Sequence, residues 1–207
     1  LMIIKNKKKF SDILIIIPVL NEEKNILPIF DKIKKNLNKK FNILFIDDNS
    51  IDKTRQNIYY LINKNKNISL IKRPKRLGIG SAHKAGLILG FKKKYKYIIT
   101  MDCDGTHNPK YINKMLKIAK LENYPIITTN RFLNKNSLKD WAIWRILLTN
   151  FRHLLIRLLL NIQIDSSGAF RLYKTREIKI NHILLAKNPS YSFFWESIFI
   201  LTKKYKI

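Results

Sequence analysis

The sequence predicts an α/β protein whose parallel sheet is covered by helices on both faces, and three observations predict it. Short runs rich in Ile, Leu and Phe alternate with longer stretches of helical spacing. The short runs are apolar at nearly every position, the pattern of strands buried on both faces. Polar residues cluster directly after the runs, where such a sheet presents its ligand-binding edge.

Taken in order, strands are expected over Asp12 to Ile17, Phe41 to Ile46, Ile68 to Ile71, Tyr97 to Met101 and Ile126 to Thr129. Helices are expected between them, over Glu22 to Asn36, Ile51 to Lys64, Ser81 to Lys93 and Pro109 to Leu121. The first run, Ile13 to Val19, follows Lys5, Lys7, Lys8 and Lys9, as a signal peptide would. It holds Pro18, lacks a small-residue cleavage site and is followed at once by Asn21-Glu22-Glu23, so it reads as a core strand. Asn63 to Asn67 and Asn134 to Asn136 read as surface loops.

From Leu138 the pattern changes to a long Leu-rich helical stretch, Trp141 to Ile162, that carries Arg145, Arg152, His153 and Arg157. Three central arginines cost roughly 2.5 to 3.5 kcal/mol each against membrane insertion. The stretch is therefore expected to lie on a membrane surface or pack on the sheet, and no transmembrane span is expected.

At 207 residues the chain can bury about 70% of its unfolded surface without disulfides or a structural metal. One domain over residues 1–207 is expected, and Cys103, the single cysteine, can form no internal disulfide. That points to an intracellular or cytosol-facing protein. The formal charge of +27, from 41 basic and 14 acidic residues, favours phosphate-bearing partners: nucleotide, anionic membrane or nucleic acid. Abundant Lys, Asn and Ile give the charge a plainer source in solvated lysine faces.

The chemistry is sought at the strand ends. Asp102-Cys103-Asp104 follows Tyr97-Ile98-Ile99-Thr100-Met101. Two carboxylates separated by one residue can turn toward one hard cation that also holds phosphate oxygens. Magnesium or manganese would then neutralise a diphosphate leaving group. Asp47-Asp48-Asn49-Ser50 ends another strand; Ser50 or Asp52 can cap the next helix, and a second carboxylate can bind a ribose or a base edge. Leu77-Gly78-Ile79-Gly80-Ser81-Ala82 lacks the third glycine of the dinucleotide fingerprint, and no Walker pattern is present. Its glycines allow a tight turn into a helix near Ser81.

These segments, with Pro18-Val19-Leu20-Asn21-Glu22-Glu23 and Gly168-Ala169-Phe170-Arg171-Leu172-Tyr173, stand in the order seen in family 2 glycosyltransferases. The chain most resembles the polyprenyl-phosphate branch, typified by dolichyl-phosphate mannosyltransferase, from about Ile13 to Lys204. The resemblance implies the GT-A nucleotide-diphospho-sugar transferase fold, Rossmann-like, with a mostly parallel central sheet. A donor-binding half would span about 10–132 and an acceptor, membrane-facing half about 133–207. It implies transfer of a sugar with inversion, mannose from GDP-mannose, onto a polyprenyl or dolichyl phosphate.

By motif, Pro18, Leu20 and Glu22 would line the base pocket, with Ile46 and Asp48 beside base and ribose. Asp102 and Asp104 would hold Mg2+ or Mn2+ and the diphosphate, with the Cys103 backbone nearby and Thr106 as a third metal contact. Arg131 would steady phosphate and Arg171 would meet the acceptor phosphate, with Arg145 and Arg152 as further acceptor contacts. A lipid phosphate monoester has a second pKa near 6 and is already largely a dianion at pH 7, so no catalytic base is required. Orienting two mutually repelling anions becomes the task, which suits arginines and a cation.

Several positions depart from the branch. Leu20 stands where tyrosine is common, Thr106 where glutamine or serine is, and Leu148-Thr149 where Ser-Arg is. Glu196 matches an acidic position near the acceptor region, or pairs with an arginine. Relatives continue past Ile207 with a further strand and a basic segment, which implies a trimmed protein relying on its surface helix, or a fragment. The expected setting is peripheral, on the cytoplasmic face of a membrane, with small membrane-anchoring subunits as partners and no nucleic acid. The rival readings are a UDP-sugar donor or a saccharide hydroxyl acceptor, and more remotely a basic nucleic-acid-binding module or an inactive relative.

Overall fold

The computed structural model describes residues 2–4, 10–130, 142–160, 162 and 164–207, with the backbone alone at 2–4, 143, 145, 146, 152, 153, 159 and 160. Within these, the strands are β1 (Met2–Ile4), β2 (Ile13–Val19), β3 (Asn42–Asp47), β4 (Ile68–Lys72), β5 (Tyr97–Thr100), β6 (Ile126–Thr128) and β7 (Arg171–Lys174). The helices are α1 (Ile26–Asn36), α2 (Thr54–Lys64), α3 (Ile79–Lys92), α4 (Tyr111–Leu121), α5 (Ile143–Leu160), α6 (Ile180–Leu184) and α7 (Ser192–Thr202).

One sheet runs β1-β4-β3-β2-β5-β7-β6. Its centre is parallel, β4-β3-β2-β5, with Leu14 opposite Asn42 and Ile13 opposite Tyr97. Every residue of β2 and β3 is buried, and alternate side chains feed two cores. Ile13, Ile15 and Ile17 join Ile29 and Phe30 of α1, Ile58 of α2 and Leu116 of α4 on one face. Leu14 and Ile16 join Leu87 of α3, Ile183 of α6 and Phe193 of α7 on the other. This two-sided burial is why the central strands read as unbroken apolar runs.

Two strands were not among those expected, and both are antiparallel to their neighbours. β1 pairs with β4 at one edge. β7 enters between β5 and β6, with Tyr97 opposite Lys174 and Ile126 opposite Tyr173. Helices α1 and α2 start later than their apolar spacing implied, because the residues after β2 and β3 form turns, with Asn21 and Asn49 in the left-handed region at φ 57° and 72°. Helix α3 starts earlier, at Ile79, from Gly78 at φ 90°.

Of the stretch expected to be helical, Trp141 to Ile162, residues Ile143–Leu160 form α5, and Trp144, Leu147, Leu148, Phe151, Leu154 and Leu158 are exposed. They recur at three- and four-residue spacing, so they share one apolar stripe facing outward. Among the described residues no helix is long and apolar enough to cross a membrane.

Candidate active site

The carboxyl edge of the parallel centre gathers three strand-end turns, and hydrogen bonds between their side chains and backbone weld the first two. Asn21 N–H donates to Ser50 Oγ (2.9 Å), while Ile51 N–H donates to Asn21 Oδ1 (3.0 Å). Glu22 N–H donates to Thr54 Oγ1 (2.7 Å), and Glu23 exchanges bonds with the facing turn through Asp52 Oδ2 and Lys53 N–H. Burial raises the Asp52 pKa, but hydrogen bonds from Thr54 and the Glu23 amide outweigh it and hold the carboxyl below its ordinary value. Pro18 and Ile46 sit opposite one another in the β2–β3 ladder and are buried, whereas Leu20 and Glu22 are half-buried above them.

Both carboxylates at the end of β3 are committed to the scaffold. Asp47, fully buried, accepts from Ser50 N–H and pairs with Arg55. Asp48, expected beside base and ribose, accepts the amides of Leu77 and Gly78 at 2.8 Å each and pairs with Arg73 at 2.9 Å. It thereby clamps the loop that opens α3. Arg73, buried, also donates to Gly78 O and Ser81 Oγ. Sequence reasoning passed over this arginine; it stands one position beyond β4, level with Asp47-Asp48, but the basic run Lys72-Arg73-Pro74-Lys75-Arg76 hides it among other cations.

Gly78 carries this loop onto the last part of the chain. A Cβ there would lie 2.5 Å from Pro189 O, and one at Gly80 would lie 2.5 Å from Ser190 O and from Phe193 Cβ. Ser81 N–H donates to Pro189 O (3.0 Å). Glu196 holds the same segment by accepting from the amides of Lys187 and Asn188, both at 2.9 Å, and pairs with no arginine among the described residues.

Asp102-Cys103-Asp104 follows β5, the strand next to β2 in the sheet. The Met101 amide donates to Ile16 O as the last β2 bond, and the Asp102 amide donates instead to His107 Nδ1 (2.9 Å). His107 lies 3.6 Å from Asp102 Oδ2 and stacks on Phe170, ring centres 5.2 Å apart. Asp104 is exposed, and its Oδ1 accepts both the amide and the hydroxyl of Thr106, which is thereby engaged with a carboxylate. Burial, then the charges of Glu22, Asp104 and Asp102, push the Cys103 thiol far up, so it stays protonated.

The donor set fits a hard divalent cation. Asp102 and Asp104 offer carboxylate oxygens and the intervening thiol is no thiolate, which suits Mg2+ or Mn2+ over softer metals. Among the described residues no three of His, Cys, Asp and Glu group as a metal site. Two carboxylates alone therefore leave coordination positions open for phosphate oxygens and water.

Arg171 requires a correction. Expected at the acceptor phosphate, it is 1% exposed, and its guanidinium donates to Gly168 O (2.9 Å), Ser166 O (3.0 Å), Phe194 O (2.8 Å) and Ser197 Oγ (2.8 Å). It cross-links β7 to α7 and presents no face to a ligand. Arg131 lies outside the described residues. Arg145 and Arg152 lie on α5 at positions where only the backbone is described.

A depression of about 290 Å³ lies at the other end of the sheet, where β2 and β5 begin, lined by Lys39, Lys40, Lys96 and Lys120 beside Asp12. Chemistry favours the opposite, carboxyl edge, where the aspartates are.

The family profile of Glycosyl transferase family 2 matches residues 14–179. The chain belongs to glycosyl transferase family 2. It is 33% identical over 138 residues to Uncharacterized protein MJ1222 of Methanocaldococcus jannaschii, covering 67% of this chain and 54% of that one. It is 25% identical over 182 residues to the polyprenol monophosphomannose synthase of Mycolicibacterium smegmatis, covering 87% of this chain and 68% of that one. The chain thus spans about half the length of the first relative.

Among solved structures, glucosyl-3-phosphoglycerate synthase from Mycobacterium tuberculosis, in complex with Mn2+, UDP-glucose and phosphoglyceric acid, superposes with TM-score 0.62 at 16% identity, over 93% of this chain and 65% of that one. Residues 1–349 of TarS from S. aureus superpose with TM-score 0.58 at 16% identity, over 91% and 53%. At these identities the likeness speaks for the fold, which is GT-A as expected.

Proposed function

We propose that this family 2 chain transfers a sugar, mannose from GDP-mannose, with inversion onto a polyprenyl phosphate at a membrane surface. The observation that carries the proposal is the Asp102/Asp104 pair leaving β5 at the carboxyl edge of a parallel sheet, beside two welded strand-end turns. The polyprenyl-phosphate branch is supported by the Mycolicibacterium relative's name and by the outward apolar stripe of α5, which suits an acceptor lying in a lipid surface.

In this reading the nucleotide lies along the β2 and β3 ends, over Pro18, Leu20 and Glu22, with the Asp48-clamped loop as its wall; Ile46, expected beside base and ribose, is 0% exposed and packs into the core against Gly86 of α3, so it meets no ligand. A divalent cation at Asp102 and Asp104, when bound, neutralises the charge that develops on the departing nucleoside diphosphate. An acceptor phosphate oxygen forms the new bond to the sugar's anomeric carbon as the bond to the diphosphate oxygen breaks, on the opposite face. The acceptor arrives as a dianion, so no side chain takes a proton. Arg131, Arg145 and Arg152 are the proposed partners of the phosphates, Arg171 being consumed inside the fold. Small membrane-anchoring subunits belong to the same proposal.

A thermal-shift panel of GDP, UDP, GDP-mannose and UDP-glucose, with and without Mn2+, tests the donor. Stabilisation by the guanine nucleotides only with metal is expected. Stabilisation by the uracil nucleotides alone would move the proposal to a UDP-sugar donor. Labelled sugar transfer to polyprenyl phosphate in vesicles tests the acceptor, and transfer to a saccharide hydroxyl in its place would overturn the lipid reading.

A further inference from the structure

We infer that His107 is a positioning residue for Asp102, and that the bond it makes is to the backbone. The inference rests on the metal-dependent reading of the Asp102/Asp104 pair.

Strand β5 runs out of partners at the residue where its carboxylates begin. Met101 N–H is the last amide bonded to β2. The next amide, Asp102 N–H, points into a half-buried turn, where an unmatched donor would be costly. His107 Nδ1 accepts it at 2.9 Å. That bond requires Nδ1 to be without a proton, which leaves the neutral ring's proton on Nε2.

The imidazole is itself fixed. Its side chain is 13% exposed, against 28% for Asp102. It lies at 28° to the ring of Phe170, which is 1% exposed and whose carbonyl accepts Thr129 N–H. Phe170 directly precedes β7, so the ring bridges the carboxylate turn and the segment leading into β7. A turn bearing two carboxylates would otherwise swing about Asp102, and the pair would face one cation only part of the time. With two protein carboxylates and no third His, Cys, Asp or Glu grouped with them among the described residues, affinity depends on how well those two are held.

Two substitutions separate this role from simple packing. His107→Asn keeps an acceptor where Nδ1 stands and loses the ring. His107→Phe keeps the ring on Phe170 and loses the acceptor. Mn2+ binding is read by electron paramagnetic resonance with saturating GDP, or UDP if the uracil nucleotide is the one bound, and thermal unfolding is read on the metal-free proteins. We expect His107→Phe to weaken Mn2+ binding by about tenfold or more and His107→Asn to stay within about threefold of the parent. Equal loss in both, or none in His107→Phe, overturns the positioning role.

If either variant fails to fold, the parent still decides. A 15N–15N coupling across the Asp102 N–H to His107 Nδ1 bond is expected by NMR in metal-free protein, and its absence overturns the proposal. A parent that shows the coupling yet binds no Mn2+ with either nucleotide sinks the metal reading, and the positioning role with it.

Discussion

Replacing Arg171 by Met separates a structural arginine from a phosphate-binding one. The side chain makes four hydrogen bonds, to the carbonyls of Ser166, Gly168 and Phe194 and to Ser197 Oγ. After the change Phe194 O still accepts from Ser197 Oγ at 3.0 Å, so two carbonyls, those of Ser166 and Gly168, lose this partner. Each buried acceptor left unmatched costs about 1–3 kcal/mol. Methionine fills much of the volume, and removing a guanidinium that pairs with no carboxylate among the described residues returns part of its burial cost. The net expectation is a loss of about 2–4 kcal/mol. For a chain of this size that is a fall of roughly 5–15 °C in Tm. Urea unfolding followed by circular dichroism at pH 7 reads it directly. A variant within ~0.5 kcal/mol of the parent that has lost lipid-acceptor turnover would refute the structural assignment and return Arg171 to the acceptor site.

Other expectations follow from the same geometry. His83 is buried, neither ring nitrogen is hydrogen-bonded among the described residues, and burial, then the charges of Arg171 and His107, lower its pKa to about 3. Its native pKa lies below the unfolded 6.5, so as pH falls the unfolded chain takes the proton first. Stability is complete above pH 6.5 and is lost toward pH 3 at up to about 1.4 kcal/mol per pH unit. His83→Leu should flatten that slope in denaturation curves and leave stability at pH 7 unchanged or higher; an unchanged slope contradicts the assignment. Asp104→Ala touches an exposed residue and should cost under about 1 kcal/mol while abolishing metal-dependent nucleotide stabilisation, so retained metal dependence would count against the pair. Gly78→Ala meets both a φ of 90° and Pro189 O at 2.5 Å. A loss of about 2–4 kcal/mol in thermal unfolding is expected, and a neutral result would mean the loop does not rest on that carbonyl.

The central strands were legible because burial on both faces demands apolar residues at nearly every position, and Ile13 to Val19 and Ile43 to Ile46 comply. β7 was not legible. Its four residues begin with Arg171 and end with Lys174, and its pairing with β5 joins residues far apart in the chain. The aspartates could be found because their value lies in position, directly after a strand. What each aspartate touches could not, since the partners of Asp48 arrive from the loop before α3 and that of Asp102 from a turn closed by His107. Arg171 misled because a sequence displays its charge but not the ring of carbonyls around it.

The place of β7 in the sheet has a consequence for synthesis of the chain. Among the described residues β6 is bonded to no strand other than β7, and β5 keeps one side open until β7 arrives. On the ribosome, Ile126 to Thr128 must therefore wait for Arg171 to Lys174 to be translated and to clear the exit tunnel. At ~5–20 residues per second that wait lasts several seconds, during which an apolar strand edge stands open to other nascent chains. The strongly basic runs Lys5 to Lys9, Lys72 to Arg76 and Lys92 to Lys96 are already made by then, and repulsion between nascent chains is a natural safeguard while the edge is exposed.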